Sequence, residues 1–424
     1  MSNIPSAAPQ RCARVSQRFP IGDDNSITFV SPGGHHVRTR KRLPFRRLDI
    51  QKYFQKIVRT MSCRLLYLVG QLDAGGLQRQ LHYLLQTMDR ERYRPEVVVW
   101  SMRDEDIYVP HFRKLGVPLH SLPSNLSGAR KLFTFRKMVK RINPEVIHSY
   151  TFHTNFAAWW AARGTKTIPI GSSRSDFIFD RENSGPVVGR LSARWPRDQI
   201  SNNRLAVKRV CDERTFFAPG RFSVIRNAVD CQSFRMVPLP SSDRVIISGV
   251  GSLIPVKRWD RLLVAALELK RQGLNFLMRI AGDGPLRRTL LEQAVNLQVA
   301  DRVSFIGHTE DVPSLLAESK FLAHTSDLEG CPNAVIEAMA CGRAVVAMDA
   351  GDIPDLVEDG KTGFIVPRGD NLALINCLSR LINDHELCRS MGEAGRARAE
   401  HEFQMDRFVS KTLAAYEIAG WKDA

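Results

Sequence analysis

Short runs of aliphatic and β-branched residues recur along this chain, each followed by a stretch whose apolar positions return every three or four residues. The first pattern marks strands buried on both faces and the second marks helices packed by one face. Their alternation predicts parallel sheets wound with helices. In the first half, Arg64–Val69, Glu96–Trp100, Val117–Ser121, Val146–Ser149 and Ile168–Gly171 read as strands, with helices at Leu77–Thr87, Leu132–Arg141 and Phe156–Ala162. A second set begins near Arg244, with strands at Val245–Gly249, Phe276–Ile280, Val303–Ile306, Phe321–His324, Ala344–Ala347 and Gly363–Val366. Helices at Leu372–Ile382 and Arg389–Glu400 follow, and a last one from about Asp406 to Ile418 is expected to return across the first domain. Between the two sets, Met236–Asp243 holds Pro238, Pro240 and two serines, a composition suited to a linker.

The expected architecture is therefore α/β, two Rossmann-like parallel-sheet domains facing across a cleft. The expected boundaries are a basic N-terminal extension at 1–60, a first domain at 61–235, a linker at 236–243, a second domain at 244–402 and a C-terminal helix at 403–424. With 424 residues, 43% of them hydrophobic, the chain is long enough and apolar enough for two cores. In wound sheets ligands sit beyond the carboxyl ends of the strands, so the loops after each strand and the cleft between the domains are where chemistry is expected.

Charge changes this picture only at one end. The net charge is +17, but residues 1–60 carry twelve Lys/Arg against three Asp/Glu, so more than half of the excess lies outside the expected folded body. Residues 38–59, RTRKRLPFRRLDIQKYFQKIVR, mix basic side chains with apolar ones at helical spacing from Leu48 onward. Such a segment suits an anionic membrane surface. A plain disordered tail, or a start of translation nearer Met61, is the plainer and favoured account. No nucleic-acid partner is expected, because the folded part lacks a basic run interleaved with aromatics. A nicotinamide oxidoreductase would need a GxGxxG turn, and the glycines from Gly70 to Gly76 have the wrong spacing. The eight cysteines form no CxxC pair, which favours a reducing, cytoplasmic location. The first 30 residues hold no continuous apolar run of the kind a secretory signal needs, and no stretch approaches a spanning helix.

The strongest chemical signal is Glu329-Gly-Cys-Pro-Asn-Ala-Val-Ile-Glu337, which follows the strand at Phe321 and opens a helix at Asn333–Ala340. Glu329 lies in the loop and Glu337 about one turn inside the helix, so both can face one ligand from different heights. Carboxylates accept paired hydrogen bonds from vicinal hydroxyls, and free amides at a helix start bind diphosphate oxygens. An ordinary acidic helix start is the plainer alternative.

This stretch resembles the paired-glutamate motif of the family 4 retaining glycosyltransferases of GT-B fold. The likeness extends to Gly249–Asp260 (GVGSLIPVKRWD), Ile280–Pro285 (IAGDGP), Phe305–Thr309 (FIGHT) and Gly351–Pro367, and in the first half to Asp73–Gly76, Pro144–His148 and Val224–Asp230. It covers roughly residues 62–420. It implies a hexosyltransferase that moves a sugar, with retention and without a metal, from a nucleotide diphosphate sugar to a glycan or lipid-linked acceptor. UDP is the first expectation for the donor, and no cofactor is expected beyond that donor. The implied setting is polysaccharide or glycolipid synthesis at the cytoplasmic face of a membrane. A nucleotide-sugar epimerase, or another GT-B enzyme that needs no acceptor, is the alternative.

Carried over residue by residue, the resemblance implies that Lys257 neutralises the diphosphate, that Glu337 holds the ribose and that Glu329 contacts the transferred sugar. Gly330, Cys331, Pro332 and Asn333 would wrap its hydroxyls and the near phosphate, and the base would stack near Gly307, His308 and Thr309. Ser252 stands where many members carry an arginine partnering the lysine; Arg258 or a helix dipole is a candidate replacement. Ala228 replaces a usual turn glycine, which Asn227 tolerates. Gly75 and Gly76, between a strand and a helix, let amides approach an anion, with Asp73 and Gln78 near the acceptor. A cleft histidine is implied at His153 or His148, or at neither; His153 is favoured, with Asn155 as a further donor. Arg174 faces an acidic or diphosphate-bearing acceptor, or only solvent. The acidic loop Asp349–Asp359 makes turns and caps rather than a metal site.

Overall fold

A computed structural model describes residues 63–422, apart from 74, 104 and 214–216. The basic segment 38–59 lies outside the described residues. Among the described residues thirteen strands form two sheets: β1 (Cys63–Val69), β2 (Tyr93–Val99), β3 (Leu119–Ser121), β4 (Val146–Ser149), β5 (Ile168–Ser173), β6 (Asp198–Ser201) and β7 (Arg221–Val224) in the first, and β8 (Val245–Val250), β9 (Phe276–Ala281), β10 (Val303–Gly307), β11 (Phe321–His324), β12 (Ala344–Met348) and β13 (Gly363–Val366) in the second. Their orders are 3-2-1-4-5-6-7 and 10-9-8-11-12-13, with every pairing parallel. Each sheet therefore reverses direction beside its own first strand, β1 against β4 and β8 against β11. At such switch points the flanking loops part and leave a crevice.

Two strands depart from the sequence expectation, which ended the first sheet at Gly171. In β6, Asp-Gln-Ile-Ser carries a single aliphatic residue, so it lacks the apolar run that marks an inner strand. Gln199 is nonetheless buried, because its amide donates to the carbonyls of Ser192 and Ala193 at 2.9 and 3.1 Å. β7 is an edge strand with no buried residue. The helices Tyr108–Lys114, Phe177–Asn183, Val188–Arg194 and Arg204–Asp212 likewise lie beyond that expectation.

The chain passes to the second sheet through residues 235–242, which have no regular structure and are pinned by the fully buried Arg343, donating to Val237 O at 2.8 Å and Pro238 O at 3.3 Å. It returns at Phe403, whose carbonyl accepts from Val229 N at 2.8 Å. The helix Met405–Ile418 then inserts Phe408, Val409 and Tyr416 into the core of the first sheet, joined by Trp421. Buried side chains of this size contribute about 2 kcal/mol each, so this crossing fastens the two halves together.

Candidate active site

The strand ends of the second half build a cavity wall from glycines. After β9, Gly282 has φ +140 and donates to Gly307 O at 2.7 Å; a Cβ there would lie 2.0 Å from Gly251 O. Only glycine permits this approach, which draws the loop after β8 against the loops after β9 and β10. A single 3₁₀ turn, Pro255–Lys257, then aims Lys257 inward. Its ammonium meets Glu329 Oε1 at 2.5 Å, and the same oxygen is 2.9 Å from Nε2 of His324, the last residue of β11. Burial opposes charge on Glu329, yet Lys257 and His324 together hold its carboxyl far below the usual carboxylate range.

Glu337, on the helix Asn333–Ala340, is buried and forms an ion pair with Arg79 of the helix Gly76–Thr87 in the first half. The loop between the glutamates is fastened to that half as well: Asn203 Nδ2 donates to Glu329 O at 3.1 Å and Asn227 Nδ2 to Cys331 O at 2.7 Å. Asn333 takes a bond from Asn227 at 2.7 Å and donates to Gly76 O at 3.2 Å. Its side chain therefore serves the junction between the halves. Burial pushes the Cys331 thiol up to about 12, which keeps it protonated.

Around these groups lies a cavity of about 580 Å³. Gly75, Gly76, Ser252, Lys257, His308, Thr309, Glu329, Gly330, Cys331, Pro332, Asn333 and Glu337 all line it. Gly307 sits behind this lining and shapes it through its bond to Gly282. The sequence reading did not single out Arg79, Asn203 or His324. Arg79 stands three residues after Gly76 and His324 ends a strand, which are the only signals they offered.

A second cavity, also about 580 Å³, lies in the first half and is lined by His153, Arg174, Ser175, Asp180, Asn183 and Val188 among others. Leu77 and Arg174 line both cavities, so the two adjoin. Burial lowers the His153 pKa from its ordinary value. His148 lines neither cavity: it is buried between Tyr416 Oη at 2.7 Å and Ser172 Oγ at 2.9 Å. Asn155 is equally structural, exchanging bonds with the backbone of Ser172. Asp73 and Gln78 line neither cavity, and Gln78 donates to Gln71 O at 3.1 Å. Arg258 turns away to Asp260 and Asp327, both at 2.8 Å, so it does not stand in for the cation absent at Ser252. Among the described residues, no group of three His, Cys, Asp or Glu side chains is placed to hold a metal ion, and no helix is long and apolar enough to cross a membrane.

Two parallel sheets meeting at such a cleft define the GT-B class. The family model for glycosyl transferases group 1 matches residues 232–398. The model for the glycosyl transferase 4-like domain matches residues 75–207, so both halves are accounted for. The chain belongs to the family 4 glycosyltransferases of GT-B fold. It is 29% identical over 323 residues to the putative colanic acid biosynthesis glycosyltransferase WcaL of Escherichia coli, covering 73% of this chain and 70% of that one. It is 30% identical over 178 residues to the N-acetyl-alpha-D-glucosaminyl L-malate synthase of Bacillus anthracis, covering 42% of this chain and 46% of that protein, so the match spans about half of that relative's length. Among solved structures, Anabaena Alr3699/HepE in complex with UDP and glucose superposes with a TM-score of 0.73 at 18% identity over 84% of this chain and 100% of that one, a likeness of fold.

Proposed function

We propose that this protein transfers a sugar, with retention and without a metal ion, from a UDP sugar to a glycan or lipid-linked acceptor. The observation that carries the reading is the convergence of Lys257, Glu329 and Glu337 on one cavity at the junction of the two halves. Glu337 accepts from the ribose hydroxyls and Glu329 from the sugar being transferred, while Lys257 offsets charge growing on the departing diphosphate. The bond from the anomeric carbon to the distal phosphate oxygen breaks, and the acceptor oxygen bonds to that carbon on the same face. The acceptor proton passes to the departing oxygen. The adjoining second cavity supports an acceptor, and so favours transfer over epimerisation. The names of WcaL, a colanic acid enzyme, and of HepE, bound to UDP and glucose, support a polysaccharide product and a uridine donor. Cys211, Cys231, Cys331, Cys341, Cys377 and Cys388 are free thiols, which supports a cytoplasmic setting.

The test is a calorimetric and hydrolysis screen of the full chain against UDP, GDP, ADP and dTDP sugars with EDTA present. Saturable binding of one donor, lost in Glu337→Ala, is expected. Folded protein that binds none of them, or a Glu337→Ala variant that binds as tightly as the parent, would remove the donor-site assignment.

A further inference from the structure

The cations of the cavity do not balance a diphosphate in an obvious way. Three of them line it: Lys257, Arg79 and Arg174. Lys257 is paired with Glu329 and Arg79 with Glu337, so each of those pairs is neutral before any ligand arrives. Asp283, also in the lining, accepts from Gly284 N at 2.7 Å and brings a further negative charge. Arg174 differs from the other two. No carboxylate pairs with it among the described residues, and its Nε and Nη1 are buried with no hydrogen-bond partner.

Its position is fixed from both sides. The guanidinium lies over the Tyr150 ring, 4.2 Å from the centroid. Its backbone abuts the loop between the two glutamates so closely that a Cβ on Gly330 would lie 2.5 Å from Arg174 O. Its charge acts on Cys331 in that loop. Arg174 also lines both cavities, which puts it where the bond to the leaving group must break. A half-buried guanidinium with two buried, unbonded nitrogens and no carboxylate is costly unless an anion completes it.

We propose that Arg174, reaching from the first half, supplies the cation at the departing diphosphate that this chain lacks at Ser252. The inference rests on the donor reading above and deepens it. Arrangement across the cleft has a consequence: the leaving group is fully neutralised only when both halves surround it, so bond breaking depends on the first half being in place.

The experiment compares binding of UDP, GDP and ADP with binding of UMP, GMP and AMP by calorimetry, using the full chain and its Arg174→Gln, Arg174→Lys and Arg174→Gln/Ser252→Arg variants. The parent should prefer one diphosphate over its monophosphate. Arg174→Gln should weaken the diphosphate by roughly 10- to 100-fold, the range for a bond to a charged group, and leave the monophosphate within about threefold. Arg174→Lys should fall between, and Ser252→Arg should restore the preference lost in Arg174→Gln. An unchanged diphosphate preference in folded Arg174→Gln, with only the acceptor KM raised, would assign Arg174 to the acceptor and overturn the proposal. A parent that binds no nucleotide at all would overturn the donor reading itself, and this proposal with it.

Discussion

Arg79 reaches across the cleft to the buried carboxylate of Glu337, 258 positions away in sequence. The pair joins the opening helix of the first half to the helix that carries the second glutamate. Under the proposed function Glu337 then has two duties, as a donor ligand and as a strut between the halves, and the two can be separated by experiment.

Glu337→Ala should weaken donor binding and lower the melting temperature together, because it leaves Arg79 without its carboxylate partner. Removing one member of a buried pair costs more than removing both. The double variant Arg79→Met/Glu337→Ala should therefore be less destabilised than the sum of the single variants, with a coupling of roughly 1–3 kcal/mol, yet should bind donor no better than Glu337→Ala. Thermal melts and calorimetry on the same four proteins check both statements. Coupling near zero would mean that the ion pair is no strut.

Lys257→Met should lower kcat/KM by roughly 10²- to 10³-fold, as expected when one group stabilising a developing anion is lost. A second effect follows at Glu329. With the ammonium gone, only His324 still draws the carboxyl down against burial, and the carboxyl moves upward from its place in the parent. The variant should then lose its residual activity toward acid pH, over a range where the parent stays flat. Matching pH–rate profiles in parent and variant would count against Glu329 acting as an ionised group.

The paired glutamates, Lys257 and the strand ends around them were legible because local sequence carries them. β4, β11 and β13 and the helix Asn333–Ala340 are uninterrupted runs whose bounds coincide with the sequence reading. What escaped is non-local. Gln199 makes β6 an inner strand by bonding carbonyls of the preceding helix and loop, which no apolar pattern announces. His148 and His153 look alike in sequence, and only the helix Met405–Ile418, bringing Tyr416 back to His148, separates them.

Two groups, the buried His148 and the half-buried Asp180, pull stability in opposite directions with pH. The His148 pKa is lowered well below its ordinary value, by burial first and then by the Arg174 charge. The unfolded chain therefore binds this proton first, and native stability falls as pH drops below about 6.5. Asp180 is raised from 3.8 to about 7 by burial. Here the native state holds the extra proton, so its contribution is complete below about 4 and is lost as pH rises through about 7. Asp180→Asn should accordingly raise the melting temperature by roughly 3–6 °C near pH 8 and by much less near pH 5. Equal shifts at both pH values would show that Asp180 does not titrate between them.

Gly330 is a tight contact between the second half and the first. A methyl group there would meet Arg174 O at 2.5 Å, a backbone atom, and Asn202 Oδ1 at 2.9 Å, on a buried side chain whose Nδ2 donates to Asn227 Oδ1 at 3.3 Å. The loop cannot yield toward its own half either, since Asp352 N donates to Gly330 O at 3.0 Å while Asp352 is fully buried and bonded to Arg204 N and Arg226 Nε. Gly330→Ala must then move the two walls of the cleft apart by some fraction of an ångström. Displacements of that size matter little to a nucleoside monophosphate held chiefly by one half, but greatly to the proposed reaction, which aligns donor and acceptor from opposite halves. The variant should bind its nucleoside monophosphate within about threefold of the parent and transfer sugar at least about tenfold more slowly. Gly128→Ala is the control, since a Cβ there meets nothing within 4 Å. If Gly330→Ala folds and transfers as fast as the parent, the contact between this loop and the first half has no part in aligning the reaction.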